Sequence, residues 1–339
     1  MESDPVTKAI EADIQEILER SRTRFNEIIY QGIKNQTLLE AVDHVQSYWL
    51  DGIRPALIQY SYEAVCSEPI DLDPVFHFFS ISGAGIGVHD DIIDKTSRKH
   101  NRDTVPGLLG ADTAITTGDL LIVKGLTGIR DFLNTVDSDK VSRVLEEYER
   151  FFTEMCNGEI MEIQARKNLE MSLEDYHRML WMLGVDTEAC CKIGAIIGGG
   201  SEEQIKQLAL YGRNLGYLNR LLDETADLFD SLETLHRRLT KESIPLMVLY
   251  SVKESEYNHR KVSAILGKDE ISNNELTDLI VTCIFYNSID YILEYALTAE
   301  DTALKSVEQL QNKKVVEKLS TITSNLYREM EKKCERFTT

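Results

Sequence analysis

The chain has 339 residues, a net charge of −20 and 42% hydrophobic residues, enough for a sizeable core. The acidic surplus argues against nucleic acid or anionic membrane as an electrostatic partner. The six scattered cysteines, including the adjacent Cys190 and Cys191, match neither a disulfide framework nor a zinc spacing. Free thiols, a charged N-terminus and no apolar run of ~18 residues predict a cytoplasmic protein without signal peptide or membrane span.

Prolines number only six, which favours long helices. Apolar periodicity predicts them near 7–33, 36–66, 74–97, 111–133, 139–168, 172–198, 202–229, 241–253, 273–299 and 302–335. Breaks are expected at Ser67–Pro69, 99–110, 230–240 and in the polar stretch 253–272. No strand pair and no flexible linker stands out, so the expectation is one all-α domain over 1–339.

The third predicted helix carries Gly83, Gly85 and Gly87, then Asp90-Asp91-Ile92-Ile93-Asp94. Three helical glycines cost about 3 kcal/mol against alanine, which close helix packing or a slot for an apolar ligand would offset. A dinucleotide fingerprint fails, because position 88 is Val and no strand precedes it. Phe79, Gly83, Gly87, Asp90 and Asp94 share one stripe. His89 reads as a packing or hydrogen-bonding residue. Arg98, Lys99, His100 and Arg102 follow directly.

A second cluster, Asp223-Glu224-Thr225-Ala226-Asp227, ends another apolar helix, with Arg237, Arg238 and Lys241 behind it. Carboxylates four apart lie on one helix face and repel unless a cation joins them. A lone D-x-x-x-D is usually a solvated helix face. Two copies in apolar helices suit Mg²⁺ with a diphosphate.

Residues 84–104 (AGIGVHDDIIDKTSRKHNRDT) resemble the first aspartate-rich motif of the trans-isoprenyl diphosphate synthases. Residues 110–120 (GADTAITTGDL) resemble the segment after it, and 216–227 (GYLNRLLDETAD) the second such motif. Lys241–Pro245 and Ile53–Pro55 resemble the family's later lysine segment and the end of its basic motif. The resemblance implies a single bundle of about ten or more long helices around a deep central cavity, the isoprenoid synthase type I fold, as a homodimer.

It also implies roles. Asp90, Asp94 and Asp223 would hold Mg²⁺, three ions with substrate bound, supported by Asp91, Glu224 and Asp227. Arg54, Arg98, Lys99, His100, Arg102, Arg220 and Lys241 would bind diphosphate. Lys241 joins Asp90, Asp94 and Asp223 as a catalytic residue. Phe79, Ser82, Gly83, Gly85 and Ile86 would line the chain-length pocket. With Phe79 the first aromatic on the stripe, ~16 Å of helix below Asp90 is expected to be open to a geranylgeranyl-sized or longer chain.

The family's chemistry would be ionisation of an allylic diphosphate followed by condensation with isopentenyl diphosphate. The chain departs from the pattern on the acceptor side. Asp51 and Gly52 stand where the family has Lys and Arg, Gly83 where it has His, Lys99-His100 for Arg-Arg, Asp186 for Lys, and Asn219-Arg220 for Phe-Gln. Reversing the sign of a phosphate contact removes it. Two alternatives therefore stand beside elongation. One is a class I terpene cyclase or a transferase with another acceptor. The other is a regulatory subunit of a hetero-oligomeric synthase.

Overall fold

The computed structural model describes residues 5–49, 51–99, 102–268 and 270–338. These are helical almost throughout, as the periodicity predicts. The chain groups into two compact units, Met1–Leu145 with Ile193–Gly200, and Glu146–Lys192 with Ser201–Thr339.

The first unit contains α1 (Pro5–Tyr30), α2 (Gln36–Tyr48), α3 (Ile53–Val65) and α4 (Asp73–Ile93). A two-stranded hairpin, β1 (Arg98–Lys99) and β2 (Arg102–Asp103), leads into α5 (Val105–Leu109), α6 (Ala111–Gly128), α7 (Arg130–Leu133) and the start of α8 (Ser138–Ala165). The second unit takes the rest of α8, then α9 (Leu173–Leu183) and most of α10 (Val185–Ile197). After Gly200 it continues with α11 (Glu202–Phe229), α12 (Leu232–Lys241), α13 (Leu246–Lys253) and α14 (Glu256–Leu266). It closes with α15 (Asn273–Phe285), α16 (Ser288–Val307) and α17 (Lys313–Thr338). Among the described residues no single helix is long and apolar enough to cross a membrane.

The core of the first unit joins Phe25 and Ile29 of α1, Val42 and Val45 of α2, Ile81 and Val88 of α4, and Leu121 of α6. Helices α4 and α6 approach most closely. A Cβ on Gly85 would stand 2.6 Å from the Gly118 carbonyl oxygen, and one on Gly125 would strike Ser82 Oγ. Close packing thus offsets the helix cost of Gly85. Lys124, buried on α6, donates to the carbonyls of Ile28 at 2.9 Å and Gln31 at 2.7 Å and so caps the end of α1. In the second unit, Leu180 and Leu183 of α9, Leu218 and Leu221 of α11, Met247 of α13 and Ile292 and Ala296 of α16 share one core.

Several helix boundaries differ from the sequence reading. The predicted helix 36–66 is two helices, α2 ending at Tyr48 and α3 starting at Ile53, where Asp51 accepts the Arg54 backbone N–H. The predicted break 230–240 is α12, capped by Ser231 accepting from Thr234 N. The polar stretch 253–272 contains α14, capped by Ser255. Both are short, and their polar faces mask the period. Asn287, in the left-handed region at φ 55°, divides the predicted helix 273–299 into α15 and α16. Arg98–Lys99 and Arg102–Asp103 form a strand pair that the periodicity does not reveal.

Candidate active site

The first acidic motif ends α4. Asp94 is the C-cap, and Lys95 takes the left-handed conformation at φ 52°. Lys95 N donates to Ile92 O and Thr96 N to Asp91 O, which satisfies the last carbonyls and turns the chain off the helix. Thr104 N then donates to Ser97 O, and Thr104 Oγ1 to Thr96 O. Gly107 lies so close to the Ser97 backbone that a Cβ there would clash with the Ser97 carbonyl oxygen. These ties fold the hairpin back over the end of α4.

The result is an ion pair across the motif. Lys99 Nζ lies 3.1 Å from Asp90 and 2.8 Å from Asp91. Burial alone would lower the Lys99 pKa, but the two carboxylates outweigh it and hold the ammonium charged. Burial raises the Asp91 carboxyl against the pull of Lys99. Arg102 lies beside them, its guanidinium 3.3 Å from the centre of the Tyr48 ring and its Nε buried without a hydrogen-bond partner. Arg98 pairs instead with Asp103 at 3.3 Å. His100 lies outside the described residues.

The second motif ends α11. Asp223 keeps solvent access and accepts from Asn219 Nδ2 at 3.2 Å. Desolvation by the surrounding protein pushes its carboxyl up to about 6, with Arg220 pulling it down and Asp227 and Asp186 pushing it further up. Glu224 points the other way, into the core. It accepts from the Tyr176 hydroxyl at 3.0 Å, from the Leu246 backbone N–H at 2.7 Å and from Arg238. Burial raises its pKa to about 7, against Arg238 and the Leu246 N–H. Arg238, also buried, lies within 3.4 Å of Glu162 and Asp227 and 3.3 Å from Glu242. Arg220 donates to Leu183 O at 3.1 Å, and Lys241 sits exposed in the last turn of α12.

The expected residues therefore divide. Asp90, Asp91, Lys99 and Arg102 come together in the first unit. Asp223 and Asp227 share a face in the second, while Glu224 is committed to Tyr176, Arg238 and Leu246. The pocket expectation is corrected in part. Ser82 and Gly85 face α6, and the indole of Trp49 covers Gly83 and Gly87, so the stripe toward buried Phe79 is not open. Arg54 is bound by Asp51 at 3.2 Å. His89 accepts its reading as a hydrogen-bonding residue, beside Ile115 O and Asp119. Sequence reasoning missed Tyr48, Trp49, Glu162 and Tyr176. None has a local signal, since each belongs to an ordinary amphipathic helix or its end.

Hard carboxylate oxygens with room for water suit Mg²⁺. Asp90, Asp94, Asp223 and Asp227 fit that chemistry, and burial raises the Asp223 carboxyl, with Asp227 and Asp186 adding to it. Among the described residues no three His, Cys, Asp or Glu side chains converge on one point. Such an ion would thus share its coordination with water and diphosphate oxygens.

A model of the polyprenyl synthetase family matches residues 35–283. A short chain isoprenyl diphosphate synthase of Methanothermobacter thermautotrophicus is 26% identical over 91% of this chain and 97% of its own. Component 2 of the heptaprenyl diphosphate synthase of Bacillus subtilis is 25% identical over 69% of this chain and 63% of its own. The crystal structure of a geranylgeranyl pyrophosphate synthetase from Pyrococcus horikoshii superimposes with a TM-score of 0.81 at 26% identity, covering 94% of this chain and 98% of that one. The all-α fold is that of the isoprenyl synthases.

Proposed function

The chain belongs to the polyprenyl synthetase family and is a prenyl transferase, and we propose that it acts with Mg²⁺ on an allylic prenyl diphosphate. The observation that carries this is the Lys99 bridge over Asp90 and Asp91 with Arg102 alongside. A side-chain cation already sits on the motif, and a metal-bound diphosphate offers it a better partner. Asp90, Asp94, Asp223 and Asp227 would hold the ions, which supply charge stabilisation to the departing diphosphate. Lys99 and Arg102 bind diphosphate oxygens, joined by Arg98, His100, Arg220 and Lys241. Glu224 positions rather than ligates, through Arg238. The allylic C–O bond breaks with its electron pair on the diphosphate, and no nucleophilic side chain is needed.

The names of the relatives support a finer form, elongation with isopentenyl diphosphate to a geranylgeranyl-sized or longer product. The Asp51–Arg54 pair favours a second reading, transfer to another acceptor or cyclisation. The proposed assembly is a homodimer in the cytoplasm. Light scattering on the purified chain tests that against a monomer requiring a second component.

The functional test measures diphosphate release from geranyl, farnesyl and geranylgeranyl diphosphate in Mg²⁺. Asp90→Ala and Asp223→Ala should each lower it about a hundredfold, the scale of several kcal/mol of metal assistance. Unchanged release from a folded variant would remove that residue from the metal site.

A further inference from the structure

Past the end of α4, the backbone on both sides of Lys99 is tied down. Thr104 N donates to Ser97 O at 2.9 Å, and Thr104 Oγ1 donates to Thr96 O at 2.6 Å. Arg98 is registered opposite Asp103, and Lys99 opposite Arg102. Helix α2 holds β2 in turn. His44 Nε2 donates to Asp103 O at 2.7 Å, and the Tyr48 ring takes the Arg102 guanidinium on its face.

The Lys99 side chain is held by charge alone. Its flexible four-carbon stem carries one ammonium to two unlike carboxylates. Asp91, 5% exposed, lies 2.8 Å away, and Asp90, with its side chain 41% exposed, lies 3.1 Å away. Asp91 is buried and needs a cation. Asp90 opens to solvent and is the member given to Mg²⁺ above. The neighbouring cations are placed differently. Lys95 is exposed, and Arg98 lies 3.3 Å from Asp103. Arg102, from its place on Tyr48, adds to the pull on Asp91. Lys99 can therefore leave the motif without stripping Asp91 of all positive charge.

We propose that Lys99 is a built-in counter-ion that sets the order in which this site fills. Without diphosphate it occupies Asp90 and opposes Mg²⁺. With diphosphate it swings to the phosphate oxygens and releases Asp90 to the ion. The inference rests on the prenyl-transfer reading above and adds a regulation of the same site to it. An ammonium and a dication repel when both sit on one half-buried carboxylate. A diphosphate offers the ammonium denser negative charge and several acceptor oxygens. The backbone ties leave β1 and β2 in place, so the exchange is a rotation of one side chain. Diphosphate and metal then strengthen each other through Lys99, and linkage makes that effect reciprocal. The resting motif stays neutralised and gathers few divalent cations until a donor arrives.

The test titrates the full chain calorimetrically, first with Mg²⁺ alone and then, in saturating Mg²⁺, with the donor analogue farnesyl thiodiphosphate. Lys99→Met should bind Mg²⁺ alone about threefold or more tightly, the scale of a half-exposed ion pair. It should bind the analogue about tenfold or more weakly, the scale of a charge-assisted hydrogen bond. A structural defect weakens both, so opposite signs in one variant report the exchange. Lys99→Arg keeps the cation and should leave the affinity for Mg²⁺ alone within about twofold. Lys95→Gln removes a charge from the same end of α4 and should change that affinity by under about twofold. Circular dichroism verifies folding. Lys99→Gln, whose amide can still donate to Asp91, replaces Lys99→Met if that variant does not fold. Unchanged or weaker binding of Mg²⁺ alone after loss of the Lys99 charge, or equal tightening in Lys95→Gln, overturns the counter-ion. Unchanged analogue binding overturns its transfer to diphosphate. The metal reading survives either result when Asp90→Ala abolishes the Mg²⁺ titration. No Mg²⁺ binding by the unmodified chain, with or without the analogue, overturns that reading and this inference together.

Discussion

Replacing Arg238 by methionine removes the more buried of two guanidinium groups that meet four carboxylates, the other being Arg237 on Asp227 and Glu242. The Arg238 guanidinium touches Glu224 and lies within 3.4 Å of Glu162, Asp227 and Glu242. Arg238 and Glu224 are only 8% and 3% exposed, so solvent cannot take over the lost charge. Breaking a buried pair by removing one partner costs about 3–5 kcal/mol, because the remaining charge stays desolvated. Methionine keeps most of the volume, so the loss reports charge rather than a cavity. The assay is urea unfolding followed by circular dichroism at neutral pH. Arg238→Met should lower the unfolding free energy by about 3–5 kcal/mol. Adding Glu224→Gln should restore part of it, since a neutral amide can still accept from Tyr176 and from Leu246 N. A loss under about 1 kcal/mol, or a double variant no better than the single, would refute the view that Arg238 neutralises these carboxylates.

The other expectations concern different parts of the molecule. His177 is held between Tyr217 and Tyr291 and stacked on Tyr295, and burial lowers its pKa from 6.5 to about 4. Below pH 6.5 the unfolded chain takes the proton first, so stability falls as pH drops from about 6.5 to about 4. His177→Asn should lose about 2 kcal/mol less than the unmodified chain between pH 6.5 and 5, read from urea midpoints, and equal losses would exclude the group. Gly85→Ala places a Cβ 2.6 Å from a backbone oxygen and should cost about 1–3 kcal/mol in thermal unfolding. Gly83→Ala meets only the movable edge of Trp49 at 3.3 Å and should be near neutral, so equal effects would refute the assigned packing. Lys124→Met leaves the carbonyls of Ile28 and Gln31 unpaired and should cost about 1–3 kcal/mol. Hydrogen exchange at the end of α1 should quicken, and unchanged exchange would rule out the cap.

The all-α class was legible in the sequence because a 3.6-residue period and a scarcity of proline are local properties. So were the two acidic motifs, since carboxylates four apart share a helix face wherever that helix packs. The departures from the family's pattern at Asp51, Gly52 and Asp186 were equally visible, as changes of charge at single positions. Only the tertiary structure decided which members of each motif are committed. Asp91 and Glu224 differ from their neighbours by one helical step, yet that 100° buries them while Asp90 and Asp223 keep solvent access, although Lys99 reaches both Asp90 and Asp91. It also divided the glycines of α4, setting Gly85 against Gly118 and giving Gly83 and Gly87 to Trp49. The sequence contains that tryptophan 34 positions before Gly83, and nothing local brings the two together. Contacts across such a separation depend on how α2 and α4 pack, a property of the shared core rather than of either segment.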